Sequence, residues 1–144
     1  MYNICMDIKF VNKPWGHELW IADGESTPYA LKRIFFKEGN RTSLQVHKFK
    51  FETNYVLSGS GKLFLSEETF DIDSFINNGM SPEEVESYEA KMKVITLQAG
   101  TVFNVAPGFV HRVVATEDLE FIEDRKSTRL NSSHSQQSRM PSSA

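Results

Sequence analysis

The sequence predicts an all-β domain of the sandwich or barrel type with one short inserted helix. Three features predict it: short apolar or alternating runs that recur along the chain, turn residues between them, and a single segment with helix start signals. The length suits one domain, because a chain of 144 residues buries roughly two-thirds of its unfolded surface around one core. We expect that domain to comprise residues 1–124.

Eight short runs have the composition of strands. Each is apolar or alternates apolar with polar residues, which is typical of a strand with a buried face. The runs are residues 30–36, 42–48, 54–57, 62–65, 94–97, 101–105, 111–115 and 119–122. Turn residues separate several of them, among them Gly39, Gly59, Gly100 and Pro107-Gly108, where glycine allows a positive φ and proline presets the turn.

Residues 81–92 are predicted to form the helix. Ser81 can act as the N-cap, Pro82 suits the first helical position, and Glu84 would complete a capping box with Ser81. We interpret the acidic side chains of this segment as a solvated face; they are Glu83, Glu84, Glu86 and Glu89.

The last twenty residues differ in composition from the rest of the chain. Residues 1–124 carry 12 Lys and Arg against 19 Asp and Glu, whereas residues 125–144 carry four basic residues and no acidic ones. The tail contains seven serines and three apolar side chains, too few to offset the entropy of ordering it. We expect residues 125–144 to be disordered. Because they resemble a translated cloning or sequencing adapter, we also expect them to be non-native.

The acidic body argues against several classes of partner. Nucleic acid binding requires a basic face that neutralises phosphates, so we expect no nucleic acid partner. The first ten residues lack the apolar core of a signal peptide, and no stretch approaches the roughly 18 apolar residues of a membrane span. We therefore predict a cytoplasmic protein with no membrane partner. Cys5 is the sole cysteine, which excludes an internal disulfide.

Two segments supply a candidate metal site. Gln45 and His47 are two residues apart, so on a strand they point to the same side, and Glu52 follows on what we expect to be the neighbouring strand. His111 would complete the set if its strand adjoins these two. Either histidine alone would more often be a satisfied polar residue. Together, the four residues favour a divalent ion, and we predict Zn²⁺, with Mn²⁺ or Fe²⁺ as alternatives.

The same residues resemble the cupin superfamily. The run from Gly39 to His47, followed by Glu52 and Gly59, resembles the first cupin motif, and the run from Gly100 to His111 resembles the second. Within the cupins, the chain is similar to the type II mannose-6-phosphate isomerase domain, also found at the C-terminus of mannose-1-phosphate guanylyltransferases. That similarity extends over about residues 13–123. It is carried by Lys13-Pro14-Trp15-Gly16, Lys32 with Ile34, Gly-x-Arg-x-Ser-Leu-Gln-x-His and Pro-Gly-x-x-His-Arg. The resemblance implies a double-stranded β-helix, or jelly-roll barrel.

The resemblance also implies a function. A metal-dependent cupin of this kind would act on a phosphorylated sugar as a mannose-6-phosphate isomerase-like enzyme, in polysaccharide or nucleotide-sugar biosynthesis. The expected catalytic residues are Glu52, as base and ligand, and Lys32, which could stabilise an enediolate. Arg41 and Arg112 could hold the phosphate, and Tyr55 could hydrogen-bond a sugar hydroxyl. Surface solvation for the basic residues and core packing for Tyr55 are the structural alternatives.

Two departures from the family pattern bear on the substrate and on the inserted segment, and a second hypothesis is open because a fold does not fix a function. Lys48, Phe49 and Lys50 follow His47 where the family commonly has further histidines, and the segment 60–99 is long and carries the helix. We expect that segment to cover the barrel mouth or to build a partner surface. The alternative function is a non-catalytic sugar-binding or regulatory cupin that works beside a nucleotidyltransferase. Because cupins resemble one another in forming dimers, we also expect a homodimer.

Overall fold

Eleven strands and an inserted helix can be followed in the computed structural model, which describes residues 8–73, 81–127 and 137–139. The strands are β1 (Lys9–Lys13), β2 (Gly16–Asp23), β3 (Tyr29–Phe36), β4 (Gln45–His47), β5 (Lys50–Ser58), β6 (Ser60–Thr69), β7 (Lys93–Gln98), β8 (Val102–Val105), β9 (Phe109–Ala115), β10 (Leu119–Ser127) and β11 (Gln137–Arg139). The helix is α1 (Pro82–Glu89). All eight predicted strands are confirmed, whereas β1, β2 and β11 were not predicted.

The strands form two antiparallel sheets that face each other as a jelly-roll barrel. One sheet has the order β1-β2-β3-β10-β5-β8, and the other has the order β11-β4-β9-β6-β7. The main core lies between them because alternate side chains of each strand point inward. It includes Phe36 and Phe121 from the first sheet and Leu63 and Val113 from the second. Trp15 stacks on Phe36 with 4.0 Å between ring centroids and so packs the turn between β1 and β2 onto the barrel.

Helix α1 packs against the outer face of the second sheet. Its start is as predicted, because Ser81 caps the backbone N–H of Glu84 and the capping box is complete. The helix ends at Glu89, three residues earlier than predicted. Its buried Val85 belongs to a second apolar cluster with Val46 and Val110, which lie on the side of their strands opposite the barrel interior. The helix thus does not cover the barrel mouth. Within the described residues, no helix is both long and apolar enough to cross a membrane.

The end of β10 corrects the predicted boundary of the domain. The strand continues to Ser127, and Arg125 pairs with Ala30 on β3 and with Glu52 on β5. Neighbours on both sides can satisfy the backbone of a polar segment, and composition alone does not reveal such neighbours. Residues 137–139 also form a strand, paired with β4, so the expected disorder is wrong for these two stretches. Residues 128–136 and 140–144 lie outside the described residues.

Two short connections bring the candidate ligands to one end of the barrel. Residues 48–49 lead from β4 in the second sheet to β5 in the first, and residues 106–108 lead from β8 in the first sheet to β9 in the second. The backbone N–H of Gly108 donates to the carbonyl of His47 at 2.8 Å, which ties the two connections together. Glu52 therefore approaches His47 from the opposite sheet, and not from a neighbouring strand of the same sheet as we expected.

Candidate metal centre

Three of the four predicted ligands converge at this end of the barrel. The Oε2 atom of Glu52 lies 2.7 Å from Nε2 of His47 and 3.3 Å from Nε2 of His111. One donor atom from each of the three residues lies within 4.8 Å of the other two. All three residues are at least 95% buried, with exposed fractions of 1% for His47, 2% for Glu52 and 5% for His111. This group could hold a metal ion.

The three side chains are better suited to binding a divalent ion than to hydrogen bonding with one another. His47 Nε2 and Glu52 Oε2 are close, yet both are buried atoms without a hydrogen-bond partner among the described residues. Leaving a buried polar atom without a hydrogen bond costs about 1–3 kcal/mol, so such atoms in native proteins usually have a function or a missing partner. Lone pairs from two imidazoles and a carboxylate that converge from separate strands are a ligand set for Zn²⁺, Mn²⁺ or Fe²⁺.

Contacts around the ligands favour the states that bind metal. The Nδ1 atom of His111 lies 3.3 Å from the carbonyl oxygen of Phe109, which can accept its proton and leave Nε2 as the metal-facing atom. Burial lowers the pKa of His47 to about 4, so its ring is neutral at pH 7. Burial opposes ionisation of Glu52, but the contacts with His111 and His47 and the charge of Arg125 hold its pKa well below the usual value.

Gln45, the fourth predicted ligand, lies beside this group. It is the Cα partner of His111 where β4 pairs with β9, and it lines the same cavity as Glu52 and His111. Its carboxamide is therefore on the cavity wall. The role of Gln45 as a ligand stays a prediction.

Glu52 and His111 line a cavity of about 530 Å³ inside the barrel. One part of its wall is apolar and includes Trp15, Phe36 and Phe103. The other part carries charged side chains from the first sheet; they are Lys13, Glu18, Lys32, Glu52, Glu123 and Arg125. A cavity of this size with a few converging polar groups is typical of a small-molecule site.

Lys32 lies in this cavity, as its predicted role requires. Its Nζ atom is 3.7 Å from Oε1 of Glu18 and 4.4 Å from the centroid of the Trp20 ring. The indole N–H of Trp20 donates to the same Glu18 oxygen at 2.7 Å, so these contacts hold the ammonium group near one position. Glu123 is the Cα partner of Lys32 on β10, and its side chain faces the same cavity.

The other predicted substrate-binding residues are not among those that line the cavity. Arg112 lies between His111 and Val113, so the alternation of β9 directs it to the opposite face. It is fully buried there, and it donates to Glu89 of α1 at 2.7 Å and to the carbonyl of Thr42 at 2.9 Å. This geometry corrects the expectation that Arg112 holds a phosphate.

Tyr55 and Arg41 are corrected for related reasons. Tyr55 alternates with Asn54 and Val56 on β5, and 47% of it is exposed on the outer face of the sheet. Arg41 forms an isolated bridge with Val114 and does not line the cavity. Neither residue is placed to contact a molecule in the barrel.

Sequence reasoning missed several charged and polar residues of the cavity. Asn54 and Glu123 could have been found, because they lie on the inward-facing positions of β5 and β10 once Glu52 and Phe121 are placed inside. Arg125 was assigned to the tail, yet its Nη2 atom lies 3.3 Å from Oε1 of Glu123 and 3.6 Å from Oε2 of Glu52. Burial and the charge of Glu52 raise the pKa of Glu123 to about 8.

The sequence matches one family model. The model describes the mannose-6-phosphate isomerase C-terminal domain, and the match covers residues 4–105. Among curated proteins, none has a significantly similar sequence.

Several solved structures share the fold at low sequence identity. The capsular polysaccharide assembling protein CapF from Staphylococcus aureus is 12% identical with a TM-score of 0.61, over 96% of this chain and 35% of that one. A mutant of the oxalate decarboxylase OxdC from Bacillus subtilis is 17% identical with a TM-score of 0.63, over 92% and 30%. An uncharacterised double-stranded β-helix protein from Klebsiella pneumoniae is 14% identical with a TM-score of 0.58, over 86% and 83%. This chain thus spans about a third of the first two. These likenesses show a cupin-type double-stranded β-helix.

Proposed function

This chain belongs to the family of mannose-6-phosphate isomerase C-terminal domains, and we propose that it is a metal-dependent enzyme that interconverts an aldose and a ketose sugar phosphate. The observation that carries the proposal is the convergence of His47, Glu52 and His111 beside a cavity sized for a small molecule, with Glu52 and His111 on its wall. Family membership supports the substrate class. Zn²⁺ is the ion that we propose, because two imidazoles and a carboxylate are among its usual ligands.

The cavity supplies groups for the proton shift between adjacent carbons. A bound divalent ion would polarise the sugar oxygen that changes between carbonyl and hydroxyl. Glu52 is in contact with both histidines, so we assign it to ligation. Proton transfer is then assigned to Glu123, whose carboxyl group faces the same cavity. Lys32 is the cross-strand neighbour of Glu123, so it can donate to the oxygen on which negative charge develops.

Since Arg41 and Arg112 do not line the cavity, the phosphate group of the sugar must be bound by another basic side chain. Among the described residues, three Lys and Arg side chains line the cavity: Lys13, Lys32 and Arg125. Lys32 contacts Glu18, and Arg125 contacts Glu52 and Glu123. Lys13 is at the end of β1, beside the Pro14-Trp15 turn that also lines the cavity, and we assign the phosphate to it.

The test combines metal analysis with an activity assay. Protein loaded with Zn²⁺ is incubated with mannose 6-phosphate, and fructose 6-phosphate is measured through a coupled reaction. We expect turnover that disappears on chelation and in Glu123→Gln, and that persists in Thr53→Ala, a matched change on the exposed face of β5. Stoichiometric metal and sugar binding without turnover would replace the isomerase with a non-catalytic sugar-binding module. Absence of both metal and sugar binding would refute each of these functions.

A further inference from the structure

Asn54 presents an unpartnered carboxamide to the cavity beside the candidate metal centre. It is 1% exposed, and neither its Oδ1 nor its Nδ2 atom has a hydrogen-bond partner within the described part of the chain. It follows Glu52 by two positions on β5, so both side chains point into the same cavity. Its cross-strand neighbours are Phe103 on β8 and Glu123 on β10.

A structural role does not account for this amide. A carboxamide has two donor hydrogens and an acceptor oxygen, and burying such groups unpaired costs about 1–3 kcal/mol. An apolar residue of similar size at this position, beside Phe103 and Phe121, would extend the core without that cost. A polar side chain that is fully buried, aimed into a cavity and unpaired indicates that the cavity's ligand supplies the partner.

The chemistry of the carboxamide narrows the group that it recognises. Asn54 is neutral, and it lies two positions from Glu52 on β5 and across from Glu123 on β10. An anionic group would be repelled by Glu52, whereas a hydroxyl group can accept from Nδ2 and donate to Oδ1 at the same time. Two positions along a strand correspond to about 6.6 Å, so Asn54 is the next residue along β5 whose side chain faces the same side as Glu52.

We propose that Asn54 is a specificity-determining residue that hydrogen-bonds a hydroxyl group of the sugar, next to the carbons that react. This inference rests on the proposed function, since it deepens the recognition of the same sugar phosphate. Asn54 would favour sugars that carry this hydroxyl group over analogues that lack it, because such an analogue leaves Nδ2 and Oδ1 buried without a hydrogen bond.

The binding test uses Asn54→Leu, which keeps the size of the side chain and removes its polar atoms. Affinity for mannose 6-phosphate and for its 2-, 3- and 4-deoxy analogues is measured by calorimetry on the Zn²⁺-loaded protein. We expect Asn54→Leu to weaken binding of mannose 6-phosphate about 3- to 10-fold, the loss of one neutral hydrogen bond. One deoxy analogue should bind equally to both proteins. Thr53→Val on the exposed face of β5 is the matched control and should bind as the wild type does.

A stability measurement separates recognition from a structural role. In the metal-free, sugar-free protein, Asn54→Leu should melt at the same temperature as the wild type or higher, because it removes an unsatisfied buried amide. A lower melting temperature would mean that Asn54 has partners within the fold, and this would overturn the proposal. Equal affinity of wild type and Asn54→Leu for mannose 6-phosphate and every analogue would also overturn it, with the proposed function intact. Failure of the wild type to bind any sugar phosphate would remove both.

Discussion

Replacing Arg112 with methionine should destabilise the fold and leave sugar binding unchanged. The guanidinium group joins three elements on the outer side of the second sheet: its own strand β9, helix α1 through Glu89, and the segment before β4 through Thr42. Methionine keeps an extended apolar side chain but makes neither hydrogen bond. The loss of these two hydrogen bonds is the main perturbation.

The magnitude follows from the groups that lose a partner. A hydrogen bond to a charged group contributes about 1.5–3 kcal/mol, and one to a neutral carbonyl about 1 kcal/mol. Removing one partner of a buried ion pair costs about 3–5 kcal/mol, but the Glu89 side chain is 18% exposed and keeps some water. We therefore expect the free energy of unfolding to fall by about 3 kcal/mol. For a domain of this size, that lowers the melting temperature by about 10 °C.

Circular dichroism melts of Arg112→Met, Glu89→Gln and the double variant measure the effect and the coupling energy. Lys48→Gln is the control, because the ion pair of Lys48 with Asp73 is largely exposed and should contribute less than about 1 kcal/mol. An unchanged melting temperature for Arg112→Met would contradict the reasoning. Loss of mannose 6-phosphate affinity at an unchanged melting temperature would instead return Arg112 to the substrate site.

Three further changes test the site and the turns. His47→Ala or His111→Ala should abolish stoichiometric Zn²⁺ in metal analysis, and retention of the ion by both variants would reject the ligand set. Burial raises the pKa of Glu123 from 4.5 to about 8, so the folded protein keeps a proton that the unfolded chain has lost. In denaturant titrations of metal-free protein, stability should thus decrease from pH 6.5 to 8, by up to about 1.4 kcal/mol per unit. In Glu123→Gln the free energy of unfolding should depend less on pH over this range. An unchanged slope would contradict the assignment of this dependence to Glu123. Gly59→Ala should lower the melting temperature more than Gly100→Ala, because both have positive φ but an added Cβ at Gly59 would meet backbone 1.8 Å away. Equal losses would show that this contact relaxes.

The fold was predictable because most strands carry an apolar inward face. Two of the missed strands, β1 and β2, show the limit of that pattern. The inward positions of β2 include Glu18 and Trp20, which line the polar part of the cavity, so β2 lacks an apolar alternation. β1 is an edge strand with exposed residues, including Phe10 at 54% exposed. An alternating apolar pattern identifies strands that bury one face in a core. β2 instead lines the cavity and β1 lies at the edge of the sheet, so neither has that pattern.

The ligands were predictable from spacing, and their surroundings were not. His47 was found from its spacing to Gln45 and His111 from the Pro107-Gly108 turn before it, but the sheet that Glu52 joins depends on where two connections cross the barrel. Arg112 was misplaced although the alternation of β9 already separates it from His111. The homodimer, the cytoplasmic location and the choice of Zn²⁺ stay predictions.

The origin of the three ligands on both sheets has a consequence for how long the protein persists. His47 and His111 belong to one sheet and Glu52 to the other, so an ion held by all three would fasten the two halves of the barrel together. A ligand that binds only the folded chain adds about 2.7 kcal/mol of stability at 100 times its dissociation constant. Metal starvation would then expose the chain to proteolysis, and the abundance of the protein would follow the metal supply of the cell.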